Sequence, residues 1–192
     1  MKLTKGLSRV GTALMVLAIG MLLVPPAQAD ARKGDGEVGI DVGITSFEDE
    51  VSDSAAGRVS LRAGLMLSNL FELEGQLAVS DRTDVNLSSG LVNCVFNFRT
   101  GDRLMAYFLV GGGAARLDLD GTDSTGVAGQ FAGGFRAFGG EGQIGLRLEL
   151  GALVADHFGE ARASYNATFG FTFVLGGRHN HRAPRHSDMA YQ

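Results

Sequence analysis

Gln143-Ile144-Gly145-Leu146-Arg147-Leu148-Glu149-Leu150-Gly151 alternates without a break: the even positions are apolar, the odd ones polar or glycine. Tyr165-Asn166-Ala167-Thr168-Phe169-Gly170-Phe171-Thr172-Phe173 alternates again, now with the apolar set odd and Asn166, Thr168, Gly170 and Thr172 on the other face. A period of two belongs to β-strands, whose successive side chains point to opposite faces. The two runs read as one hairpin over residues 141–175, each strand with one apolar and one polar face.

The pattern recurs six times upstream. A first strand at 37–47 sets Val38, Ile40, Val42 and Ile44 against Asp41. A second at 58–67 sets Val59, Leu61 and Leu65 against Arg58 and Arg62, and a third at 71–80 sets Phe71, Leu73 and Leu77 against Glu72, Glu74 and Gln76. The fourth, 85–98, is less regular. Val92, Cys94, Phe96 and Phe98 share a face opposite Asn93 and Asn97, but Leu87 and Leu91 fall out of phase, which a bulge near Ser89-Gly90 would repair. The fifth, 104–119, sets Met105, Tyr107, Leu109, Leu117 and Leu119 against Arg116 and Asp118. The sixth, 127–138, sets Val127, Phe131 and Phe135 against Gln130 and Arg136. Residues 48–57, 81–84, 120–126 and 156–160 read as polar loops, while the other three links are short. Alternating long and short links between antiparallel neighbours make an up-and-down meander, and eight such strands can close into a barrel.

The first 29 residues are of a different kind. Lys2, Lys5 and Arg9 precede an apolar run at 11–24, and Pro25-Pro26 leads to the small-residue site Ala27-Gln28-Ala29. This is the pattern of a secretory signal cleaved after Ala29. The run of 14 residues is short against the ~20 that a spanning helix needs. Cleavage removes three cations and no acids, taking the net charge from −4 to −7. Residues 30–177 are then the barrel domain and 178–192 a polar, disordered C-terminal tail. Cys94 is the single cysteine, so no internal disulfide forms, and it reads as a small hydrophobe on the barrel wall. Glycine numbers 29 of 192, about twice the usual share, and its place inside strands marks tight curvature or close approach.

Which face points inward separates two function classes. A soluble ligand-binding barrel buries its apolar face; a membrane barrel turns it outward. Eight strands enclose room for side chains or one small ligand, and the Leu, Phe and Ile of every strand would overfill that space. The polar face is thinned by small residues, among them Gly39, Gly43, Gly64, Gly112, Ala114, Gly134 and Gly170, as a narrow lumen shared with long charged side chains requires. Strands without a second long apolar helix also suit export through the inner membrane. The expected fold is thus an all-β, eight-stranded antiparallel up-and-down transmembrane β-barrel. Its expected lumen network is Glu37, Asp41, Glu72, Glu74, Asp118 and Glu149 with Arg58, Arg62, Arg116, Arg136 and Arg147. Near balance of charge argues for interlocked pairs, because an unpaired buried charge costs several kcal/mol, and a lumen so filled is plugged.

Residues 106–114 (Ala-Tyr-Phe-Leu-Val-Gly-Gly-Gly-Ala), Phe131-Ala132-Gly133-Gly134-Phe135, the run 144–149 and the closing Phe169-Gly170-Phe171-Thr172-Phe173 follow one another in an order that resembles the small outer-membrane β-barrel superfamily of Gram-negative bacteria, the OmpA/OmpX-like barrels. The likeness covers residues 36–177. It implies a monomer in the outer membrane, both termini in the periplasm and four loops at the cell surface. Outer-membrane lipid, lipopolysaccharide and the assembly machinery, which a final aromatic strand assists, are the implied partners. Two features depart from it: residues 176–192 follow the last strand, and there is no wall-binding domain.

Candidate chemistry is sparse. Catalysis in such a barrel needs a His beside a Ser nucleophile and a carboxylate; the best set is Asp156, His157, Glu160 and Ser164. The tail, with three His and three Arg over 178–186, reads as solvated. No phosphate loop, CxxC or nucleic-acid signature is present, and no cofactor or metal is expected. Glu48, Asp49, Glu50, Asp53, Asp120, Asp123 and Asp156 form acidic surface loops that divalent cations could bridge to lipopolysaccharide phosphates. Tyr107, Phe131, Tyr165, Phe169 and Phe173 are expected on the outer wall, as interfacial girdles or mid-wall packing. The expected function is a non-enzymatic outer-membrane barrel of structural, adhesion or surface-interaction type. A small channel or a lipid A-modifying enzyme are the alternatives.

Overall fold

The computed structural model describes residues 33–47, 55–100, 104–119, 121–139 and 143–176. They form eight strands: β1 (Gly36–Phe47), β2 (Ala56–Met66), β3 (Phe71–Arg82), β4 (Val85–Arg99), β5 (Leu104–Leu119), β6 (Thr122–Gly139), β7 (Ile144–His157) and β8 (Glu160–Leu175). Each pairs antiparallel with its sequence neighbour, and β1 closes on β8 from Gly36↔Leu175 to Phe47↔Ser164. Closure pairs the backbone all the way round, which is what a sheet surrounded by hydrocarbon must do.

The ladders run without a skipped residue, and this corrects the expected bulge in β4. Ser89 sits opposite Ala78 and Gly90 opposite Leu77, in one register from Phe71↔Phe96 to Arg82↔Val85. The phase set by Asn93 and Asn97 simply continues. It carries Val85, Leu87 and Leu91 into the interior and leaves Asn86 and Ser88 outside.

The phase of β5 is corrected as well. Met105, Tyr107, Leu109 and Leu117 are buried inside the barrel, and Leu119 packs against the same interior cluster as Leu117. Arg116 and Asp118, with Gly112 and Ala114, lie on the outer wall, Arg116 opposite Ser88 and Asp118 opposite Asn86. Residues 104–110 are apolar on both parities, so alternation alone could not choose between them.

Three of the four polar connections shrink to two residues, at 83–84, 120–121 and 158–159, because the strands absorb the rest. In the last, Phe158 (φ 58°) and Gly159 (φ 79°) are both left-handed, as a two-residue turn matched to strand twist demands. Glu48, Asp49, Glu50, Asp53 and Asp120 lie outside the described residues, as do segments 1–29 and 178–192.

Outside, Ile40, Val42, Leu61, Leu77, Phe131, Phe135, Leu150 and Phe171 stand exposed around the wall. Toward the termini the Phe96 ring lies 4.4 Å from Phe71 and stacks 4.4 Å from Phe108. So wide an apolar surface is made to lie in lipid. The strands, from 11 residues in β2 to 18 in β6, exceed the ~9–11 needed for a tilted crossing. The interior has two layers. Ionic side chains fill the terminus side. Phe47, Val85, Leu87, Leu91, Leu117 and Leu153 cluster toward the β3–β4, β5–β6 and β7–β8 turns.

Candidate functional site

The ionic layer is built by cross-strand pairing of long side chains with glycine. Arg62 on β2 faces Gly39, Arg58 faces Gly43, Glu74 on β3 faces Gly64, Glu149 on β7 faces Gly134 and Arg147 faces Gly170. Period-two geometry aims each pair into the lumen, and a Cβ on the glycine would run into a neighbouring strand's carbonyl or another carboxylate. A Cβ on Gly64 would overlap the Glu72 carboxylate, and one on Gly134 would come 2.7 Å from the Tyr107 hydroxyl.

Glu37, Asp41, Arg58, Arg62, Glu72, Glu74, Arg136, Arg147 and Glu149 are all in this interior, none more than 5% exposed. Arg62 donates through Nε to Asp41, through Nη1 to Glu74 Oε1 at 2.9 Å and through Nη2 to Glu149 Oε1 at 2.7 Å. Arg147 donates to Glu74 Oε2 at 2.6 Å and Glu149 Oε2 at 2.8 Å, and through Nε to the Tyr107 oxygen at 2.7 Å. The Tyr107 hydroxyl in turn donates to Glu149 Oε2 at 2.8 Å, and its ring lies beneath both Arg147 (4.4 Å) and Arg136 (4.8 Å). Arg136 joins Glu37 and Glu72 at 2.9 and 2.8 Å. Planar guanidinium forks suit this lattice better than ammonium groups would. The carboxylates of Glu37, Glu72 and Glu74 converge within 4.8 Å of one another. The Arg136 guanidinium reaches all three and supplies the positive charge that a metal ion would bring.

Arg116 and Asp118, expected in the lumen, are outside it; Arg116 pairs across the outer wall with Asp123 at 3.3 Å. Asp156 is exposed at the end of β7. Tyr107, expected on the outer wall, is the aromatic centre of the ionic layer. The apolar layer was not read from the sequence, although the phase of Asn93 and Asn97, carried along β4 without a bulge, points to it.

The proposed nucleophile set does not assemble. His157 and Ser164 are buried beside Arg162 at the turn-side mouth, around a void of only about 10 Å³. Among the described residues neither ring nitrogen of His157 has a carboxylate or hydroxyl at hydrogen-bond distance, Asp156 points away from it, and Glu160 pairs with Arg162 at 3.1 Å.

No protein-family model matches the chain, and no curated protein does. Among solved structures, the Neisserial surface protein A matches with a TM-score of 0.59 and 12% identity, over 72% of this chain and 95% of that one. The chain has the fold of a small outer-membrane β-barrel. The N-terminal barrel domain of OprF from Pseudomonas aeruginosa matches at 0.49 with 15% identity, over 73% of this chain and 100% of that one. OprG from the same organism matches at 0.48 with 10% identity, over 78% and 100%. A small outer-membrane barrel fold serves many tasks, so the functional argument rests on how this barrel is filled.

Proposed function

We propose that the chain is an integral outer-membrane barrel of structural, adhesion or surface-interaction type, closed to solutes and without catalytic chemistry. The two-layered interior is the observation that supports this reading. A solute entering from the terminus side would have to part guanidinium–carboxylate pairs that are almost wholly shielded from water, and breaking one partner of such a pair costs about 3–5 kcal/mol. It would then meet Leu87, Leu117 and Leu153, packed with Phe47 and Val85 beside a void of only about 10 Å³. An eight-stranded barrel has no width to spare once its side chains fill it.

In this reading residues 1–29 are a removed signal. The barrel sits as a monomer in outer-membrane lipid, delivered by the assembly machinery, with its termini in the periplasm. The polar turn side, with Asp81, Asn86, Arg116, Asp118 and Asp123 on the wall of β3–β6, meets lipopolysaccharide or a surface partner. Planar-bilayer recording of the refolded chain is expected to show no discrete conductance steps; steps would replace this reading with the channel. Cell fractionation is expected to place the chain in the detergent-requiring outer-membrane fraction. Recovery from the periplasm without detergent would end the membrane reading.

A further inference from the structure

The glycines of this barrel fall into two sets. Those facing the lumen are forced by their neighbours, as at Gly64 and Gly134. Those on the outer wall of β3–β5 are not. A Cβ added at Gly75, Gly90 or Gly112 would find its nearest neighbour at 3.8, 3.5 or 3.4 Å, which is ordinary contact. Nothing among the described residues keeps these positions bare. Together with Ala63 and Ala114 they thin the wall beside Leu61, Leu77 and Val79, leaving two depressions of about 480 and 460 Å³. Both depressions are lined by Leu61, Leu77 and Gly90, so they form one trough.

The upper end of the trough is polar. Ser88, Arg116 and Thr125 line it there, side by side across β4, β5 and β6. The next outward row toward the turns is Asp81, Asn86, Asp118 and Asp123. The Arg116 side chain is 58% exposed and 3.3 Å from Asp123. A guanidinium fork matches phosphate geometry. Carboxylates reach a phosphate through a divalent cation that takes both as ligands.

We propose that the trough seats an acyl chain of the lipid A part of lipopolysaccharide, with a lipid A phosphate on Arg116 and a divalent cation between that phosphate and the Asp118 and Asp123 carboxylates. This inference rests on the outer-membrane reading above, which puts the turn side in the outer leaflet. The trough and the row divide the ligand between them: one takes hydrocarbon, the other a phosphate with its counter-cation. A zwitterionic lipid has no use for the two carboxylates, and unspecific hydrocarbon has none for the bare floor.

The test is native mass spectrometry of the refolded chain, released from Mg²⁺-containing micelles that hold diphosphoryl lipid A and phosphatidylglycerol in equal amounts. One lipid A is expected to be retained in preference to phosphatidylglycerol by about tenfold, with the preference lost when EDTA removes the cation. Gly90→Leu with Gly112→Leu fills the trough using space the chain already has, and Arg116→Glu reverses the headgroup contact. Each is expected to lower lipid A retention about tenfold, while heat-modifiable gel migration stays that of the folded barrel. Should the filled variant not fold, Arg116→Glu decides the matter alone. Equal retention of both lipids, or retention of lipid A that neither variant changes, overturns the site even if the chain fractionates with the outer membrane. Fractionation elsewhere overturns the parent reading instead.

Discussion

Arg147 uses three of its nitrogens on three groups, Glu74, Glu149 and Tyr107, whereas among the described residues the Arg58 side chain donates to Ser80 at 3.3 Å and its Nε has no partner. Both arginines are buried, so their substitution separates pairing from burial. Arg147→Leu takes the nearest guanidinium from Glu74 Oε2 and leaves Glu149 Oε2 with the Tyr107 hydroxyl alone, and is expected to destabilise the barrel by about 3–5 kcal/mol. Arg58→Met removes a buried cation whose hydrogen-bond partner among the described residues is a neutral hydroxyl, and is expected to change stability by under about 1 kcal/mol. Urea unfolding of the refolded variants in micelles measures both, and equal losses would contradict the lattice. A second residue stores backbone strain. Phe158 adopts φ 58°, a conformation that costs a side-chain-bearing residue roughly 1–2 kcal/mol. Phe158→Gly keeps the N–H that donates to the Ser124 hydroxyl at 2.9 Å and is expected to raise the urea midpoint; a lowered midpoint would mean that the freedom of glycine in the unfolded chain outweighs the relief.

At the scale of strands, β4 and β5 behave as two half-strands of opposite polarity. Toward the termini they follow the membrane pattern, with Phe96, Phe98 and Phe108 outside and Asn93, Asn97 and Tyr107 inside. Toward the turns the pattern inverts, with Leu87 and Leu117 inside and Ser88, Arg116 and Asp118 outside. No bulge is needed, because the side-chain period never changes; only the surroundings of each face do. Nitroxide labels placed singly at Arg116 and Leu117, with Cys94→Ser to remove the native thiol, test this. The first is expected to be mobile and open to a water-soluble relaxation agent, the second immobile and closed to it. The opposite result would restore the phase that alternation suggests. This inversion also marks what was legible in the sequence. β1, β2, β3 and β7 could be phased because each contrasts long aliphatics with charges, and β8 because it contrasts aromatics with Asn166, Thr168, Gly170 and Thr172. β5 could not, since residues 104–110 are apolar on both faces, and its only charges, Arg116 and Asp118, belong to the half that stands beyond the grease. Most of the ionic layer was readable because long charged residues share a parity with small ones. The apolar layer was not, because a leucine on an inward position looks the same in sequence as one facing lipid.

For the molecule as a whole, two unlike layers in series make a plug that neither layer loses alone. The ionic layer resists passage by Coulomb attraction in a medium of low dielectric, where desolvating a bare ion is expensive. The apolar layer resists by close packing, with a void of only about 10 Å³ beside Leu87, Leu117 and Leu153. Truncating ionic side chains, as in Arg62→Ala with Glu149→Ala, removes a matched pair from the first and opens space beside Glu74, but Leu87, Leu117 and Leu153 still close the path. Truncating those three leucines to alanine opens the second and leaves Arg62, Arg136 and Arg147 interlocked. Each set alone is therefore expected to give a barrel without discrete conductance steps in a planar bilayer, and the two sets combined are expected to give steps. Heat-modifiable migration checks that each variant is folded before it is recorded. Steps from the leucine set alone would mean that ions thread the charged layer unaided. The lattice would then be a selectivity filter, not a seal, and the barrel would have to be read as a gated channel whose gate is the leucine layer.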